Sequence, residues 1–471
     1  MTTPRRQPFA GRLVMIGYGS IGRGVLPLLL RHIELDPQQV LVVCPDQAAR
    51  DAEREYGVRV ESGALTAENF HQVLEPLLGS GDFLLNLSVQ VSSQALLALC
   101  QTRGALYLDT CIEPWAGGYT DASQTPSERS NYAQRHAALA LRAKPDSPTA
   151  LLTHGANPGL VSHLLKQALE NLARDLGDKA APPASREDWA RLAQRLGVRC
   201  IHIAEYDSQY SNRHREPDEF VNTWSVDGFI GEICQPAELG WGSHERGLPA
   251  DGRRHAFGSQ AAIYLQRPGG ATQVYSWTPG AGPTLGWLIT HSEAISIAEF
   301  LSLGEGAHPA YRPTVHYAYR PCDDAVLSLN ELAARHWTPQ SRQRLLFDDI
   351  AGGMDELGVL LMGHARGSYW YGSRLGIADA RRLCPHNNAT SLQVAAAVMA
   401  GVIWAMRNPA RGILEPDDLP YREILELCAP YLGELGGFYS DWTPLAGRER
   451  LFAEPQLDQG DPWQFRNFRA S

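Results

Sequence analysis

Trp224, Gly228 and Glu232 are residues whose types and spacing could hold a cation. They recur at i, i+4 and i+8 in Asn222-Thr-Trp-Ser-Val-Asp-Gly-Phe-Ile-Gly-Glu232-Ile-Cys, which reads as a helix opened by a polar cap. An indole, a bare glycine and a carboxylate on one stripe make a groove with an aromatic wall and an anionic end. An ammonium ion there gains cation–π attraction and a charge-assisted hydrogen bond. The alternative is a core tryptophan beside a solvated glutamate. Glu205 and Asp207 fall on one face of a strand by period-2 alternation. Glu113 follows Asp109-Thr-Cys, and Asp355-Glu356 follow a Gly352-Gly353 turn; surface charge is the commoner role for each such acid. His291 could shuttle protons or cap a helix beginning near Glu293. No His, Cys or Asp cluster has metal spacing, and neither a G-x-S-x-G nor a P-loop occurs.

These groups need elements to position them, and the first is a nucleotide-binding turn. Arg12-Leu-Val-Met-Ile-Gly17-Tyr18-Gly19-Ser20-Ile21-Gly22 runs an apolar strand into G-x-G-x-x-G, followed by a Leu-rich helix from Val25 to Leu30. The first glycine makes the tight turn and the second lets the backbone approach a pyrophosphate. The third lets helix pack on strand, with N–H groups aimed at the anion. NAD(P) or FAD is the expected cofactor. Asp46, just after the buried-type run Val40-Leu-Val-Val-Cys44, would accept from ribose hydroxyls and favour NAD, or would cap a helix from Gln47 to Tyr56.

Three further strand candidates repeat the rhythm, at 82–86, 105–109 and 149–153, with helices at 92–102 and 127–143. Ligands of open parallel sheets bind beyond the carboxyl ends of the strands. Asn86 and Ser88, Thr110 and Cys111, and Asn157 and Pro158 are therefore the expected cofactor contacts. From about Val198 alternating strands replace the buried runs, which predicts a second domain with a mixed sheet. Cys384-Pro-His-Asn-Asn-Ala-Thr390 then opens a small-residue helix fit for close packing, read as the chain returning to the nucleotide domain. The expected architecture is α/β: a Rossmann-like domain of residues 1–157 plus about 385–471, with an inserted α+β domain of about 158–384.

At 471 residues the chain exceeds one ordinary core. Hydrophobic content of 44% with 20% charged residues describes a soluble globular protein. The net charge of −10 disfavours nucleic acid and welcomes a cationic small molecule. Eight scattered cysteines without a C-x-x-C suggest buried thiols in a reducing cytoplasm. No apolar run reaches about 18 residues, and the N-terminus carries no signal-type apolar segment, so neither membrane insertion nor export is expected.

The motifs together resemble the bacterial homospermidine synthase family, within the saccharopine dehydrogenase-like group. The resemblance runs through Gly17–Gly22, Leu108-Asp-Thr-Cys-Ile-Glu113-Pro-Trp115, Thr153-His-Gly-Ala-Asn157-Pro-Gly-Leu-Val-Ser162, Ala204-Glu205-Tyr-Asp, the Asn222–Glu232 stretch, Ile289-Thr-His291-Ser-Glu-Ala and Cys384–Thr390. It implies a Rossmann-like domain completed by the C-terminal segment, an inserted dimerisation domain and a homodimer. The implied reaction joins two putrescines into homospermidine with loss of ammonia, using NAD that is reduced and reoxidised within one cycle; spermidine could replace one putrescine as donor. It also implies that Trp224 steadies cationic imines, that Glu205 and Glu232 hold ammonium groups, and that Asn157 lies near the nicotinamide. Glu113, His291, Asn222 and one of the adjacent acids Asp355 and Glu356, taken as Asp355, would line the pocket.

An attacking amine must be neutral, so some group accepts its proton; Glu232, Glu205 and His291 are all candidates. Two other readings compete. An NADPH-dependent imine reductase of the saccharopine or carboxynorspermidine type would need cations for its carboxylate-bearing substrates, and Arg213 and Arg215 are the residues that could supply them. A nucleotide-sensing Rossmann protein would have no turnover.

Overall fold

The computed structural model describes residues 6–45, 49–142 and 146–470. They form two compact units. The first comprises Met1–Arg129, Ala133–Leu160 and Ile377–Leu432. The second comprises Ser130–Tyr132, Val161–Gly376 and Gly433–Ser471.

The first unit is built on a seven-stranded sheet. Its order is Ile413–Leu414, Ala150–Leu151, Leu106–Asp109, Phe83–Asn86, Leu13–Ile16, Val40–Cys44, Arg59–Ser62, and every pairing is parallel. The central strands are buried along their whole length, as apolar runs covered on both faces must be. Strand order reverses at Leu13–Ile16, so the switch point where such sheets bind ligands lies at the glycine turn. The Ser20–His32 helix follows that turn, with Arg31 in its last turn complementing the helix dipole. The Ala389–Arg407 helix is capped by Asn388, whose side chain accepts from Ser391 N–H. Among the described residues it is the one helix long and apolar enough to cross a membrane, and 89% of that stretch is buried in the fold. Its small side chains permit close packing: a Cβ at Gly401 would lie 2.7 Å from His154 Nδ1.

The second unit carries a mixed ten-stranded sheet. Its centre is Thr314–Arg320 paired parallel with Cys200–Asp207, which pairs antiparallel with Met354–Met362, then Ser368–Gly376 and Glu434–Ser440. The helices Arg186–Leu196, Val226–Cys234, Ser292–Phe300 and Asp323–Ala334 belong to this unit.

Two sequence expectations are corrected here. Residues 433–471 do not return to the nucleotide domain. Glu434–Ser440 adds to the mixed sheet, and Phe465 and Phe468 fill its cores. The helix expected at 127–143 is confined to Asn131–Leu139.

Candidate active site

In the first unit the three glycines divide the work as the motif requires. Gly17 has φ +89°, and a Cβ there would sit 2.8 Å from the Leu87 carbonyl oxygen. A Cβ at Gly22 would lie 2.7 Å from the Gly17 carbonyl oxygen, so this glycine permits the helix–strand contact. At Gly19 a Cβ would meet nothing within 4 Å. That open approach is what a pyrophosphate needs. Gly19 is also the helix N-cap, with no side-chain acceptor and no acid in the first turn. The helix therefore presents N–H groups and positive dipole without an internal anion, which fits a dinucleotide. Tyr18 and Ser20 are buried beside the turn and Ile21 is half-buried.

The strand ends are tied to one another. Ser88 donates to Asn86 Oδ1 from both N and Oγ, at 3.2 and 2.5 Å. Asp109, fully buried, accepts from Thr153 N–H at 2.5 Å and from the Tyr107 hydroxyl at 2.8 Å. Burial pushes its carboxyl up to about 7 against those bonds. Asp109 thereby pins the segment leading to Asn157, and the Pro158 carbonyl closes that turn by accepting from Gly155 N–H at 2.8 Å. A Cβ at Gly155 would lie 3.4 Å from Thr110 Cβ, which brings Thr110 against the same turn. Glu113 is buried, accepts from Gln90 N–H at 3.2 Å and from Cys111 Sγ at 3.7 Å. Asp46 lies outside the described residues.

In the second unit three neighbouring strands deliver acids and aromatics to one face. Strand alternation puts Glu205 and Asp207 together, and register sets Asp355 opposite Asp207 and Tyr319 opposite Glu205. All four are buried to within 2% of full burial. Tyr317, two residues before Tyr319, donates its hydroxyl to Glu205 Oε2. The two tyrosine rings stack at 5.3 Å and 4°. Trp224 Nε1 donates to the Tyr319 hydroxyl at 3.2 Å. Tyr319 is held well above its ordinary pKa by burial and then by the fields of Glu205, Asp207 and Asp355. Burial lifts Asp207 to about 6, opposed by hydrogen bonds from Thr223 Oγ1 at 2.6 Å and Gln209 N at 2.8 Å.

Glu356 points the other way. It accepts from Arg374 Nε at 2.7 Å and from Gly280 N–H at 2.8 Å, so of the adjacent acids Asp355 is the one that shares a face with Glu205.

The helix bearing Glu232 begins later than the sequence suggested. It spans Val226–Cys234, with Ser225 as N-cap accepting from Gly228 N–H at 3.1 Å. Trp224 therefore precedes the helix and is not part of a helical stripe. It still meets Gly228, because a Cβ at that glycine would lie 3.4 Å from the indole. Asn222 is fully buried, and neither polar atom of its amide has a hydrogen-bond partner.

His291 stands between two carboxylates, with Nε2 3.1 Å from Glu232 Oε2 and Nδ1 3.2 Å from Glu293 Oε1. Its ring lies 4.3 Å from that of Tyr317. Burial alone would push its pKa down; Glu293 and Glu232 outweigh burial and hold it well above the usual value. It is both N-cap and titratable group, although its side chain makes no capping bond. Arg213 and Arg215, which could have received a carboxylate-bearing substrate, are paired with Glu219, at 3.6 Å, and with Glu331.

Tyr317, Tyr319, Thr223 and Glu293 are the cluster members that sequence reasoning did not single out. For the tyrosines the only signal was their shared strand face, since their partners depend on pairing with a strand more than a hundred residues away.

Comparison with known proteins finds matches along the chain. Residues 13–151 match the saccharopine dehydrogenase NADP binding domain and residues 155–438 the saccharopine dehydrogenase C-terminal domain. The chain is 52% identical over 463 residues to homospermidine synthase from Blastochloris viridis, covering 97% of both chains. It is 49% identical over 465 residues to that of Mesorhizobium japonicum, covering 97% of this chain and 96% of the relative. The homospermidine synthase from Legionella pneumophila, solved in complex with NAD, superposes with a TM-score of 0.92 at 45% identity and 99% coverage of both chains. This chain belongs to the homospermidine synthase family.

Proposed function

We propose that the protein joins two putrescines, or spermidine and putrescine, into homospermidine, releasing ammonia or 1,3-diaminopropane. It is an aminobutyl transferase, and its cofactor is NAD. The observation that carries this reading is the convergence of Glu205 and Asp207 from one strand and Asp355 from its neighbour, beside an indole and two tyrosines from the strand on the other side. Such a site suits a diamine, because each end is a cation and the middle is apolar.

NAD, when bound, supplies an acceptor for the hydride beside a substrate amine and later returns that hydride to the product imine. The Gly17, Gly19 and Gly22 turn and the helix start at Ser20 would hold its pyrophosphate, with Tyr18, Ile21, Asp46, Asn86, Ser88, Thr110, Cys111, Asn157 and Pro158 as proposed further contacts. Glu205, with Asp207 and Asp355 behind it, holds the ammonium end that does not react. Loss of a hydride makes an iminium, and a preorganised carboxylate and indole stabilise that charge as it develops. Trp224 is oriented for this by its bond to Tyr319. Glu232, partly exposed beside His291, takes the proton that the second amine must lose before it attacks. Glu113 and the unsatisfied amide of Asn222 are proposed to contact substrate nitrogen. The paired Arg213 and Arg215 weigh against a substrate that bears a carboxylate.

We also place the protein in the cytoplasm as a homodimer. Its eight cysteines, none of them in a disulfide, suit a reducing compartment, and the family resemblance assigns dimerisation to the inserted unit. Light scattering on purified protein checks the dimer. The reaction is tested with putrescine deuterated at both carbons that bear nitrogen, in the presence of excess unlabelled NADH. Homospermidine that retains every deuterium supports return of the same hydride. A product lacking one deuterium at the new C–N bond contradicts it.

A further inference from the structure

A step in the proposed reaction has no direct route between the reacting atoms. When a neutral amine adds to the iminium carbon, the tetrahedral adduct carries its extra proton on the incoming nitrogen. Ammonia leaves only after that proton reaches the other nitrogen on the same carbon. Direct transfer would pass through a strained four-membered ring, so a nearby group must take the proton from one nitrogen and give one to the other.

Glu232 and His291 are suited to the two halves of that exchange. Glu232 is the acceptor, and His291 Nε2, 3.1 Å away, is the donor. His291 can donate only while it is an imidazolium, and a buried imidazole does not stay protonated unaided. Glu293 meets this need. It is 1% exposed, faces His291 Nδ1 at 3.2 Å, and its second oxygen has no hydrogen-bond partner. Its negative charge is thus directed at the imidazole and not spent on another donor. The groups that face His291 are Glu293 on its own helix, Glu232 on the Val226–Cys234 helix, and Tyr317 on the Thr314–Arg320 strand. Tyr317 directs its hydroxyl to Glu205 and is itself held neutral by burial and that carboxylate, so it does not supply the charge.

We propose that Glu293 is a positioning residue that keeps His291 protonated and its Nε2–H aimed at Glu232, so that the pair moves a proton from the attacking to the departing nitrogen. The inference rests on the aminobutyl-transfer reading. The step balances internally. Glu232, partly exposed and having by then passed the earlier ammonium proton to solvent, gains the proton of the incoming nitrogen, and His291 gives one to the leaving nitrogen. The C–N bond to ammonia breaks with its electron pair on the departing nitrogen, the lone pair of the remaining nitrogen forms a new iminium, and Glu232 returns its proton to His291. No outside acid, base or oxidant is consumed. Docking of a second cation at Glu232 weakens the hold on the His291 proton, which makes it transferable only when the partner amine is in place.

The test is the pH profile of kcat for homospermidine formation in Glu293→Gln and Glu293→Asp, with thermal melts to show that both fold. Glu293→Gln is expected to move the alkaline limb of kcat to lower pH by about 1 to 3 units, the range for loss of an adjacent opposite charge. The KM for putrescine should change less than kcat. Glu293→Asp, which keeps a carboxylate, should restore most of the shift. A loss of kcat that is uniform across pH, with the limb unmoved, would overturn the role given to Glu293. Failure of the unaltered enzyme to form homospermidine at any pH would instead overturn the aminobutyl-transfer reading itself.

Discussion

The glycine turn of the first unit and the acid–aromatic face of the second reach function by opposite routes. The turn is local: strand, three glycines and helix occupy residues 13–32, and its chemistry belongs to the backbone. The acid face is assembled from Cys200–Asp207, Thr314–Arg320 and Met354–Met362, with Trp224 brought in from a loop. Its chemistry belongs to side chains and exists only when register is right. A backbone site tolerates many side chains but no added Cβ where the chain is tight. A side-chain site tolerates little change of charge, because a buried carboxylate is desolvated and needs a partner to offset that cost.

That contrast can be broken or sharpened by substitution. The largest effect is expected from Glu205→Gln, which leaves the shape and removes the charge. Losing one partner of a buried ion pair costs about 2–5 kcal/mol. kcat/KM for putrescine should fall accordingly while NAD affinity, read by fluorescence titration, stays unchanged. An equal loss of NAD affinity would undo the division of labour between the units.

Asp207→Asn comes next, and its effect is on stability. Raising Asp207 from the ordinary 3.8 to about 6 costs the folded state at most about 3 kcal/mol once the group ionises. The sign follows from which state ionises first. Below about pH 4 both states are protonated, and between about 4 and 6 only the unfolded chain ionises, so the native protein loses stability as pH rises through that window. Asp207→Asn should gain stability relative to the native protein across that window and hold the gain above it, as urea unfolding at several pH values will report.

The two glycines of the turn give a smaller, paired test. Gly17→Ala must meet the Leu87 carbonyl at positive φ and should cost about 2 kcal/mol or more of stability. Gly19→Ala has open space, so its stability should stay within about 0.5 kcal/mol of the parent while NAD affinity falls. On the side-chain face, Trp224→Ala should cost less than Glu205→Gln, about 1–2 kcal/mol of lost cation stabilisation in kcat/KM. A loss no larger than that from Trp115→Ala, an indole packed on Phe70 in the first unit, would remove the role given to Trp224.

The same contrast explains what could be read from the sequence. The turn was legible because its spacing is its structure, and the buried runs at Leu13–Ile16 and Val40–Cys44 announce a parallel sheet. Alternation alone paired Glu205 with Asp207. Deciding between Asp355 and Glu356 on geometry needed register, since adjacent strand residues face opposite sides and only the structure shows Arg374 meeting Glu356. Tyr317 and Tyr319 escaped notice because a pair of tyrosines in a strand says nothing until its neighbour is known. The Trp224 stripe was misplaced because the helix read as opening at the start of the Asn222 segment, whereas Ser225, whose hydroxyl accepts from Gly228 N–H, is the cap. The end of the chain was assigned to the wrong unit for a related reason. The helix at Ala389–Arg407 does return to the parallel sheet, but after Leu432 the turn at Gly433, φ +63°, begins a strand whose partner is Ser368–Gly376.

Recycling of NAD within each turnover is what separates this transfer, which has no net oxidation, from a dehydrogenase reaction. It is tested most directly by incubating the purified protein with putrescine and a small amount of NAD, then measuring homospermidine, ammonia and NADH. The account predicts equal amounts of homospermidine and ammonia, far exceeding the NAD supplied, with no accumulated NADH. Formation of one NADH for each putrescine consumed would contradict it.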